Sequence, residues 1–267
     1  MPTYRQDYHI HTGFSSDSSE SMRAICKVAI DRGIDEIAIT DHLDFGPCDS
    51  NEPFATQAYL EAIQACRAEY GTRLQVRAGI EIGESHLFPN GAAEVLGTGD
   101  FDFVLGSAHY ADGMQPAWSE EYFEQPLRQA YEAYFRQVVD LAANGDFDVL
   151  SHLDLVKRDA RRFGKPYDGP GPYADMIRAA LRALVERGKG MELNTSPLRR
   201  GQPEPCPSME ILRWYRELGG EILTLGSDAH SAEFVGCDLD VALEMARAAG
   251  FRRLATFSHR EMAWRGV

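Results

Sequence analysis

The chain has 267 residues, of which 44% are hydrophobic and 25% are charged, a composition typical of a globular protein with a full core. The formal net charge of −14 argues against a broad nucleic-acid surface, which needs clustered Lys and Arg, although bound cations could still attract a small anionic substrate. No apolar run approaches the roughly 20 residues that span a bilayer, and the first residues lack the apolar segment of a secretory signal, so we expect a cytoplasmic protein with no membrane partner.

The five cysteines are irregularly spaced and include no Cys-x-x-Cys pair. An odd number of cysteines without metal-site spacing argues against a zinc site built from thiolates. They are Cys26, Cys48, Cys66, Cys206 and Cys237. We expect buried or incidental thiols in a reducing compartment.

Strand-like and helix-like segments alternate along the whole chain. In chain order, strands are predicted at 6–11, 36–40, 74–82, 101–107, 147–151, 191–194 and 222–226, with a weaker one at 253–257. Helices are predicted between them at 21–31, 56–70, 120–143, 173–186, 208–218 and 241–249. This alternation implies parallel strands joined by crossover helices, and an α/β barrel of roughly 250 residues is a normal single domain.

Two polar segments interrupt the alternation, at 43–53 and 158–172. The first is rich in Pro and Asp, and the second is basic and then rich in Gly and Pro. Each directly follows a predicted strand, and the alternation resumes after it. We therefore interpret both as loops at strand ends and not as domain linkers.

Histidines stand at the ends of the predicted strands. His9 and His11 are two residues apart in a strand, so their side chains point to the same face, and Asp228 with His230 repeats this arrangement late in the chain. Six of the eight histidines end a strand: His9, His11, His42, His109, His152 and His230. Glu81 ends another. The other two histidines are predicted to lie in a loop near the mouth (His86) and on the surface (His259).

The C-terminal ends of the strands form the active-site face of an α/β barrel, so these side chains are expected to meet. Imidazoles and carboxylates without sulfur suit Zn, Mn or Fe. One ion takes about four to six donors, so the set implies two or three divalent ions with a bridging carboxylate such as Glu81. Clustered ions stabilise the oxygens of a phosphoryl displacement and lower the pKa of a bound water towards 7.

The same residues lie in motifs that resemble a known family. The motifs are YHIHT at 8–12, ITDH at 39–42, GIE at 79–81, GSAH at 106–109, SHLD at 151–154 and GSDAH at 226–230. In order and spacing, from Asp7 to Ser231, they resemble the PHP (polymerase and histidinol phosphatase) superfamily. The resemblance implies a single-domain distorted (β/α)7 barrel, TIM-like, with a dinuclear or trinuclear metal site at the C-terminal ends of the strands.

The resemblance also assigns ligands to ions. The first ion receives His9, His11, Glu81 and Asp228; the second shares Glu81 and adds His109 and His152; the third receives Asp17, His42 and His230. Many relatives have histidine where this chain has Asp17, whereas the phosphatase branch often has aspartate. Taken alone, the segment around Asp17 reads equally well as a turn before a helix cap.

Two further segments resemble the histidinol-phosphate phosphatase branch, SHLDLVKR at 151–158 and MELNTSPLR at 191–199. Arg158 and Arg199 would overhang the metal face, where a guanidinium matches phosphate oxygens with two parallel hydrogen bonds. Arg161, Arg162 and Arg200 are weaker candidates for direct contact with the substrate. Asn194 and Ser231 could hydrogen-bond the substrate or the groups behind the ligands. The loops at 48–54 and 86–91 match nothing in the family, so the identity of the substrate rests on the arginines.

The resulting hypothesis is a metal-dependent phosphomonoester hydrolase. A metal-bridging hydroxide would attack phosphorus, while the ions, Arg158 and Arg199 stabilise charge on the phosphoryl oxygens. The expected substrate is L-histidinol phosphate, which would give histidinol and phosphate in histidine biosynthesis.

Two further roles are assigned, one in proton transfer and one in binding the substrate amine. Asp17 and His42 complete the set of catalytic candidates, and a metal-bound water, Asp17 or Asp44 could assist the leaving oxygen. The cationic amine of the substrate would meet Asp44, Glu84 or Asp112, unless these are solvated surface charges.

Three alternatives stay open. A phosphodiesterase or nuclease of the same superfamily would act on a nucleotide-sized substrate, since the negative charge disfavours a nucleic-acid polymer. A lyase or amidohydrolase would use the same ions on a carbonyl group. A non-catalytic metal-binding module is expected to have lost ligands, whereas every motif position is filled here. The sequence gives no indication of oligomeric state.

Overall fold

The computed structural model describes residues 4–49, 53–111 and 113–267. In chain order its strands are β1 Gln6–Asp7, β2 Glu36–Ile39, β3 His42–Leu43, β4 Gln75–Gly83, β5 Phe103–Ser107, β6 Tyr110–Ala111, β7 Gln115–Pro116, β8 Val149–Leu150, β9 Gly190–Asn194, β10 Leu223–Gly226, β11 Arg253–Ser258 and β12 Glu261–Gly266. Its helices are α1 Met22–Asp31, α2 Thr56–Tyr70, α3 Pro89–Leu96, α4 Leu127–Asn144, α5 Val156–Arg162, α6 Ala174–Glu186, α7 Met209–Glu217 and α8 Leu239–Ala248. Within these residues, no helix has the length and apolar character needed to cross a bilayer.

Parallel strands form a barrel in the order β1-β2-β4-β5-β8-β9-β10. β3 pairs with β4 and continues the line of β2. The first and last strands meet where the Tyr8 amide donates to the Leu225 carbonyl (2.8 Å) and where Ile10 forms a parallel bridge with Ala229. The predicted (β/α)7 barrel is confirmed.

Apolar cores lie on both sides of the barrel sheet. The larger core, between the strands and the helices, contains Ile37 and Ile39. The smaller core contains Tyr8, Ala38, Phe103, Leu105, Val149, Ala255 and Phe257. Because successive residues of β2 point to opposite faces, and both faces are covered, this strand is apolar at every position from Ile37 to Ile39.

β11 and β12 form an antiparallel hairpin outside the barrel sheet. Its turn residues, His259 and Arg260, have φ of 49° and 61°, as in the turns that match the twist of a tight hairpin. The His259 amide donates to Asp102 (3.1 Å) and Arg260 pairs with Asp148 (3.0 Å), so the hairpin covers the end of the barrel where β5 and β8 begin. The predicted weak strand at 253–257 therefore exists, but it caps the barrel instead of joining it.

All predicted barrel strands are present, and three of them are shorter than predicted by two or more residues. The strand predicted at 6–11 forms a ladder only over Gln6–Asp7, and those predicted at 101–107 and 147–151 begin at Phe103 and Val149. Just before β5 and β8, a side-chain carboxylate accepts a hydrogen bond from the neighbouring strand. Asp102 accepts from the Ala78 amide (2.9 Å) and Asp148 from the Val104 amide (3.0 Å). The remaining strand ends lie within one residue of their predicted positions.

The helix predicted at 120–143 is divided. Residues Glu121–Glu124 form a 3-10 turn and α4 begins only at Leu127, because Pro126 is tolerated before the first helical turn and not inside a helix. The other predicted helices begin and end within two residues of their expected bounds. The prediction omitted α3, the β6–β7 hairpin and β12.

The two predicted loops had different outcomes. Leu43, the first residue of the loop predicted at 43–53, belongs to β3. Residues 44–49 and 53 form no helix or strand, as predicted, and residues 50–52 lie outside the described residues. The segment 158–172, however, begins inside α5, whose Val156 and Ala160 are buried in the core. The prediction missed this helix because most residues of α5 are charged and only these two apolar side chains indicate burial.

Candidate active site

Five histidines surround the carboxylate of Glu81, which is fully buried at the C-terminal end of β4. Its Oε1 lies 3.1 Å from His152 Nε2 and 3.4 Å from His109 Nε2; its Oε2 lies 3.0 Å from His9 Nε2, 3.2 Å from His42 Nδ1 and 3.5 Å from His11 Nε2. The barrel thus brings together ligands that the sequence separates by up to 143 positions, from His9 to His152. Glu81 occupies the central position predicted for a bridging carboxylate.

The predicted ligands form overlapping groups whose nitrogen and oxygen atoms lie within 4.8 Å of one another. These groups are His9, His11 and Asp228; His9, Glu81 and His152; His42, Glu81 and His109; and His11, Asp17, His42 and His230. Asp17 Oδ2 lies 2.8 Å from His230 Nε2, in line with the third predicted set. His9, His11 and His42 each belong to two groups, which the predicted sets did not anticipate. The assignment of single ligands to single ions stays a prediction.

His11 shows how well the site suits a cation. Its Nε2 atom is buried, lies 3.5 Å from both Glu81 and Asp228, and has no hydrogen-bond partner among the described residues. Burial, with the neighbouring charges of His42 and His230, lowers the pKa of His11 to about 3. A buried imidazole nitrogen that faces two carboxylates and has no hydrogen-bond partner is a fitting ligand for a divalent ion.

The carboxylates remain charged despite their burial. Burial alone would raise the pKa of Glu81, but the charges of His9 and His42 hold that pKa well below its usual range. Burial likewise opposes ionisation of Asp228, whose pKa is held well below its usual range by the positive charges of His9 and Arg158. Both groups are therefore ready to bind cations at neutral pH.

A layer of polar residues behind the ligands was not predicted. Asp41 accepts from the Thr12 amide (2.5 Å) and from the Ser15 hydroxyl (2.8 Å), and this hydroxyl lies 3.2 Å from His11 Nδ1. Glu192 lies 2.7 Å from His9 Nδ1. Both acids belong to the quoted motifs, but only their contacts in the folded barrel reveal that they orient ligands.

Two of the acidic residues proposed for the substrate amine, Asp44 and Glu84, are not solvated surface charges. Asp44 lies 2.9 Å from His109 Nδ1, and Glu84 accepts from the amides of His109 and Tyr110. Burial raises the pKa of Glu84 to about 7. Asp44 lines the cavity described below, and Asp112 lies outside the described residues.

A cavity of about 740 Å³ opens above the ligands. Arg158, from α5, lies 3.3 Å from Asp228 and is also held by Asp159 (3.2 Å). Arg199 donates to the carbonyls of Ser227 (2.5 Å) and Asp228 (2.6 Å). Four arginines line the cavity, namely Arg158, Arg162, Arg199 and Arg200, and Ser231 joins them as predicted.

Some predicted contacts lie elsewhere. Asn194 is fully buried below the ligands, where it donates to Glu192 (3.1 Å). Neither Asn194 nor Arg161 is among the described residues that line the cavity, so a direct substrate contact stays a prediction for both. Trp118 does line the cavity, edge-on to His109 with ring centroids 6.2 Å apart. It was missed because it lies outside every motif.

The two remaining histidines lie outside the ligand cluster, the name used below for the nine predicted metal ligands: His9, His11, Asp17, His42, Glu81, His109, His152, Asp228 and His230. His86 Nε2 lies 3.0 Å from Gln137 of α4. His259 is exposed and lies 2.9 Å from Asp100 at the opposite end of the barrel. Among the described residues, neither histidine forms a hydrogen bond or ion pair with a predicted metal ligand, as expected from their positions away from the strand ends.

Comparison with known proteins matches residues 7–196 to the PHP domain model. The chain belongs to the PHP family. It is 30% identical over 257 residues to a histidinol-phosphatase of Lactococcus lactis subsp. lactis, with 94% of each chain covered, and 31% identical over 264 residues to a probable histidinol-phosphatase of Deinococcus radiodurans, with 96% of this chain and 97% of the relative covered. The Lactococcus lactis histidinol phosphate phosphatase, solved with zinc, L-histidinol and phosphate, has a TM-score of 0.86 at 28% identity and covers 98% of this chain and 99% of its own.

One glycine of this PHP barrel is required by a close approach. A Cβ atom at Gly226 would lie 2.1 Å from Glu192 Oε1 and 2.5 Å from His9 Cβ. We expect Gly226→Ala to lower the free energy of unfolding by about 1–3 kcal/mol, because overpacking displaces neighbouring side chains. Chemical denaturation would measure it. Gly171→Ala is the control, since its Cβ would meet nothing within 4 Å; equal stability of the two variants would contradict the expectation.

Proposed function

We propose that this PHP protein is a metal-dependent phosphomonoester hydrolase whose substrate is L-histidinol phosphate. The observation that carries the proposal is the position of Arg158 and Arg199 in one cavity with the ligand cluster, which presents phosphate-binding groups beside metal-binding groups. The histidinol-phosphatase relatives, which match over nearly the whole chain, support this substrate. The reaction would belong to histidine biosynthesis, in the cytoplasm.

The ligand cluster would hold two or three divalent ions, with Zn, Mn and Fe all suited to its nitrogen and oxygen donors. Ions bound there supply an activated water and neutralise charge on phosphoryl oxygens. The residues that would hold them are His9, His11, Asp17, His42, Glu81, His109, His152, Asp228 and His230.

The arginines would orient the phosphoryl group. Asp159 is 2% exposed and holds Arg158 by two contacts, at 3.2 and 3.3 Å. The Arg158 Nη1 atom meanwhile lies near Asp228 and Ser196, both at 3.3 Å. Because one edge of the Arg158 guanidinium is fixed, its remaining N–H groups point in a defined direction. They therefore favour binding of a phosphoryl group in a single orientation.

Asp17 and Asp44 are better suited to accept than to donate a proton. Burial would raise the pKa of Asp17, but hydrogen bonds from His230 and His42 hold that pKa well below its usual range. The pKa of Asp44 is likewise held low, against the effect of burial, by His109 and His42. Both are carboxylates at neutral pH, so we assign neither as the donor of a proton to the leaving oxygen.

Phosphate release tests the proposal. Purified protein supplied with zinc or manganese should release phosphate from L-histidinol phosphate. A chelator should abolish this activity, because without ions the site has no activated water to attack phosphorus. p-Nitrophenyl phosphate and bis(p-nitrophenyl) phosphate serve as controls for a generic monoester and a diester. Equal or faster turnover of either control would contradict histidinol phosphate as the substrate.

A further inference from the structure

Glu192 is a fully buried carboxylate in β9 that belongs to none of the ion-binding groups described above. One oxygen, Oε1, lies 2.7 Å from His9 Nδ1. The other, Oε2, accepts from the His152 amide (2.8 Å) and from the Asn194 side chain (3.1 Å). Glu192 thus joins two ligand-bearing segments, after β1 and after β8, from beneath the cluster.

We propose that Glu192 is a positioning residue that fixes the tautomer of His9 in the ion-bound site, with the hydrogen on Nδ1 and the lone pair on Nε2. A carboxylate offers only acceptors, so the imidazole nitrogen at 2.7 Å from Glu192 must carry hydrogen. The opposite nitrogen, Nε2, lies 3.0 Å from Glu81 and 3.8 Å from Asp228, so it also carries hydrogen while no ion is bound, and it releases that hydrogen to bind an ion. This inference rests on the metal-dependent function proposed above, because a lone pair on Nε2 matters only for a bound ion.

The surroundings make the carboxylate of Glu192 hard to replace with an amide. The Asn194 carbonyl oxygen accepts from the Ser196 amide (2.9 Å), so the Asn194 NH₂ group is turned towards Glu192 Oε2. With the His152 amide, this places two donors at Oε2. A glutamine at position 192 would direct its oxygen to these two donors and its own NH₂ group to His9.

The amide would therefore reverse the tautomer. His9 Nδ1 would accept a hydrogen bond, and the hydrogen would move to Nε2, where it would occupy the position of the lone pair that binds an ion. Nothing else in the shape of the site would change, because Gln and Glu have the same size. Glu192→Gln therefore tests the direction of the hydrogen bond between residue 192 and His9 without changing the packing around it.

Zinc affinity is the first measurement. We expect Glu192→Gln to weaken the binding of zinc by about 10- to 100-fold, determined as zinc per chain in chelator-buffered solutions of defined free zinc. Glu36→Gln is the matched control: Glu36 is also fully buried, accepts from Tyr8 (2.5 Å) and Arg77 (2.6 Å), and lies at the other end of the barrel. Wild-type zinc affinity in Glu192→Gln, or an equal loss in Glu36→Gln, would overturn the proposal.

The second measurement needs no folded variant at position 192. Nitrogen-15 NMR of the zinc-loaded wild-type protein, with the His9 ring signals assigned by their absence in His9→Gln, should show hydrogen on Nδ1 and none on Nε2. A His9 ring with hydrogen on Nε2 would overturn the proposal directly. In the folded Glu192→Gln protein, the signals should show the reverse.

These readouts are independent of the substrate. If the wild-type protein releases no phosphate from histidinol phosphate but Glu192→Gln still loses zinc affinity, the proposed substrate is wrong and the role of Glu192 stands. If phosphate is released and Glu192→Gln binds zinc as the wild type does, the role of Glu192 is wrong and the proposed function stands.

Discussion

Glu81→Gln is expected to lower kcat/KM for histidinol phosphate by at least about 10³-fold, because positioned divalent ions contribute several kcal/mol to the stabilisation of phosphoryl transfer and each 1.36 kcal/mol is a factor of ten. Glu81 faces five imidazoles with its two oxygens and is fully buried. The amide keeps its shape and removes its negative charge. Steady-state kinetics and zinc content per chain, measured on the same preparation, would show whether activity and bound metal fall together.

The control for this prediction is again Glu36→Gln, which removes a buried carboxylate far from the cavity. It should retain zinc and, in the fraction that stays folded, activity close to that of the wild type. Retention of more than about a tenth of the wild-type kcat/KM by zinc-loaded Glu81→Gln would be incompatible with a central ligand. A loss of the same size in Glu36→Gln would assign the effect to folding.

Arg199→Ala is expected to lower kcat/KM for phosphomonoesters by about 10²-fold, the loss typical of removing one preorganised donor to the transition state. Arg199 lines the cavity, and its guanidinium lies over the Phe234 ring at 5.0 Å. Arg199→Lys should recover only part of the activity, because an ammonium keeps the charge and loses the planar fork. Kinetics on histidinol phosphate and on p-nitrophenyl phosphate would measure both effects.

A structural role for Arg199 makes a different prediction. Its guanidinium donates to the carbonyls of Ser227 and Asp228, so its removal could act only by loosening the segment after β10. In that case Arg199→Ala would lower the midpoint of thermal unfolding while kcat/KM of the folded enzyme stayed unchanged. Arg178→Ala, in which a partly exposed arginine of α6 loses its pairing with Glu217 (3.1 Å), calibrates the thermal effect of losing a surface ion pair.

The sequence by itself predicted the barrel and the face that carries the site. These predictions depend on local rules: helix and strand periodicity, and the spacing of two residues that sets His9 and His11 on one face. The C-terminal ends of parallel strands must lie together, so histidines at strand ends had to converge whatever the details of packing. The resemblance to a known family then added Asp17 and the two arginines, which periodicity could not have selected.

Errors arose where distant residues decide a local outcome. The charged segment at Arg158 was predicted as a loop, yet it is helical in α5 because Val156 and Ala160 are buried against the core. The weak strand at 253–257 was real, but its pairing with β12, and not with the barrel, is visible only in the fold.

Only the tertiary structure decided the second layer of the site. The pairings of Glu192 with His9, Asp44 with His109 and Ser15 with His11 set the orientation of the ligands. Glu192 and His9 stand 183 positions apart and approach to 2.7 Å because barrel closure places β10 beside the segment that follows β1, with β9 as the next strand. Sequence periodicity determines which face of a strand a side chain occupies, whereas the distance between side chains on different strands depends on how the whole barrel closes.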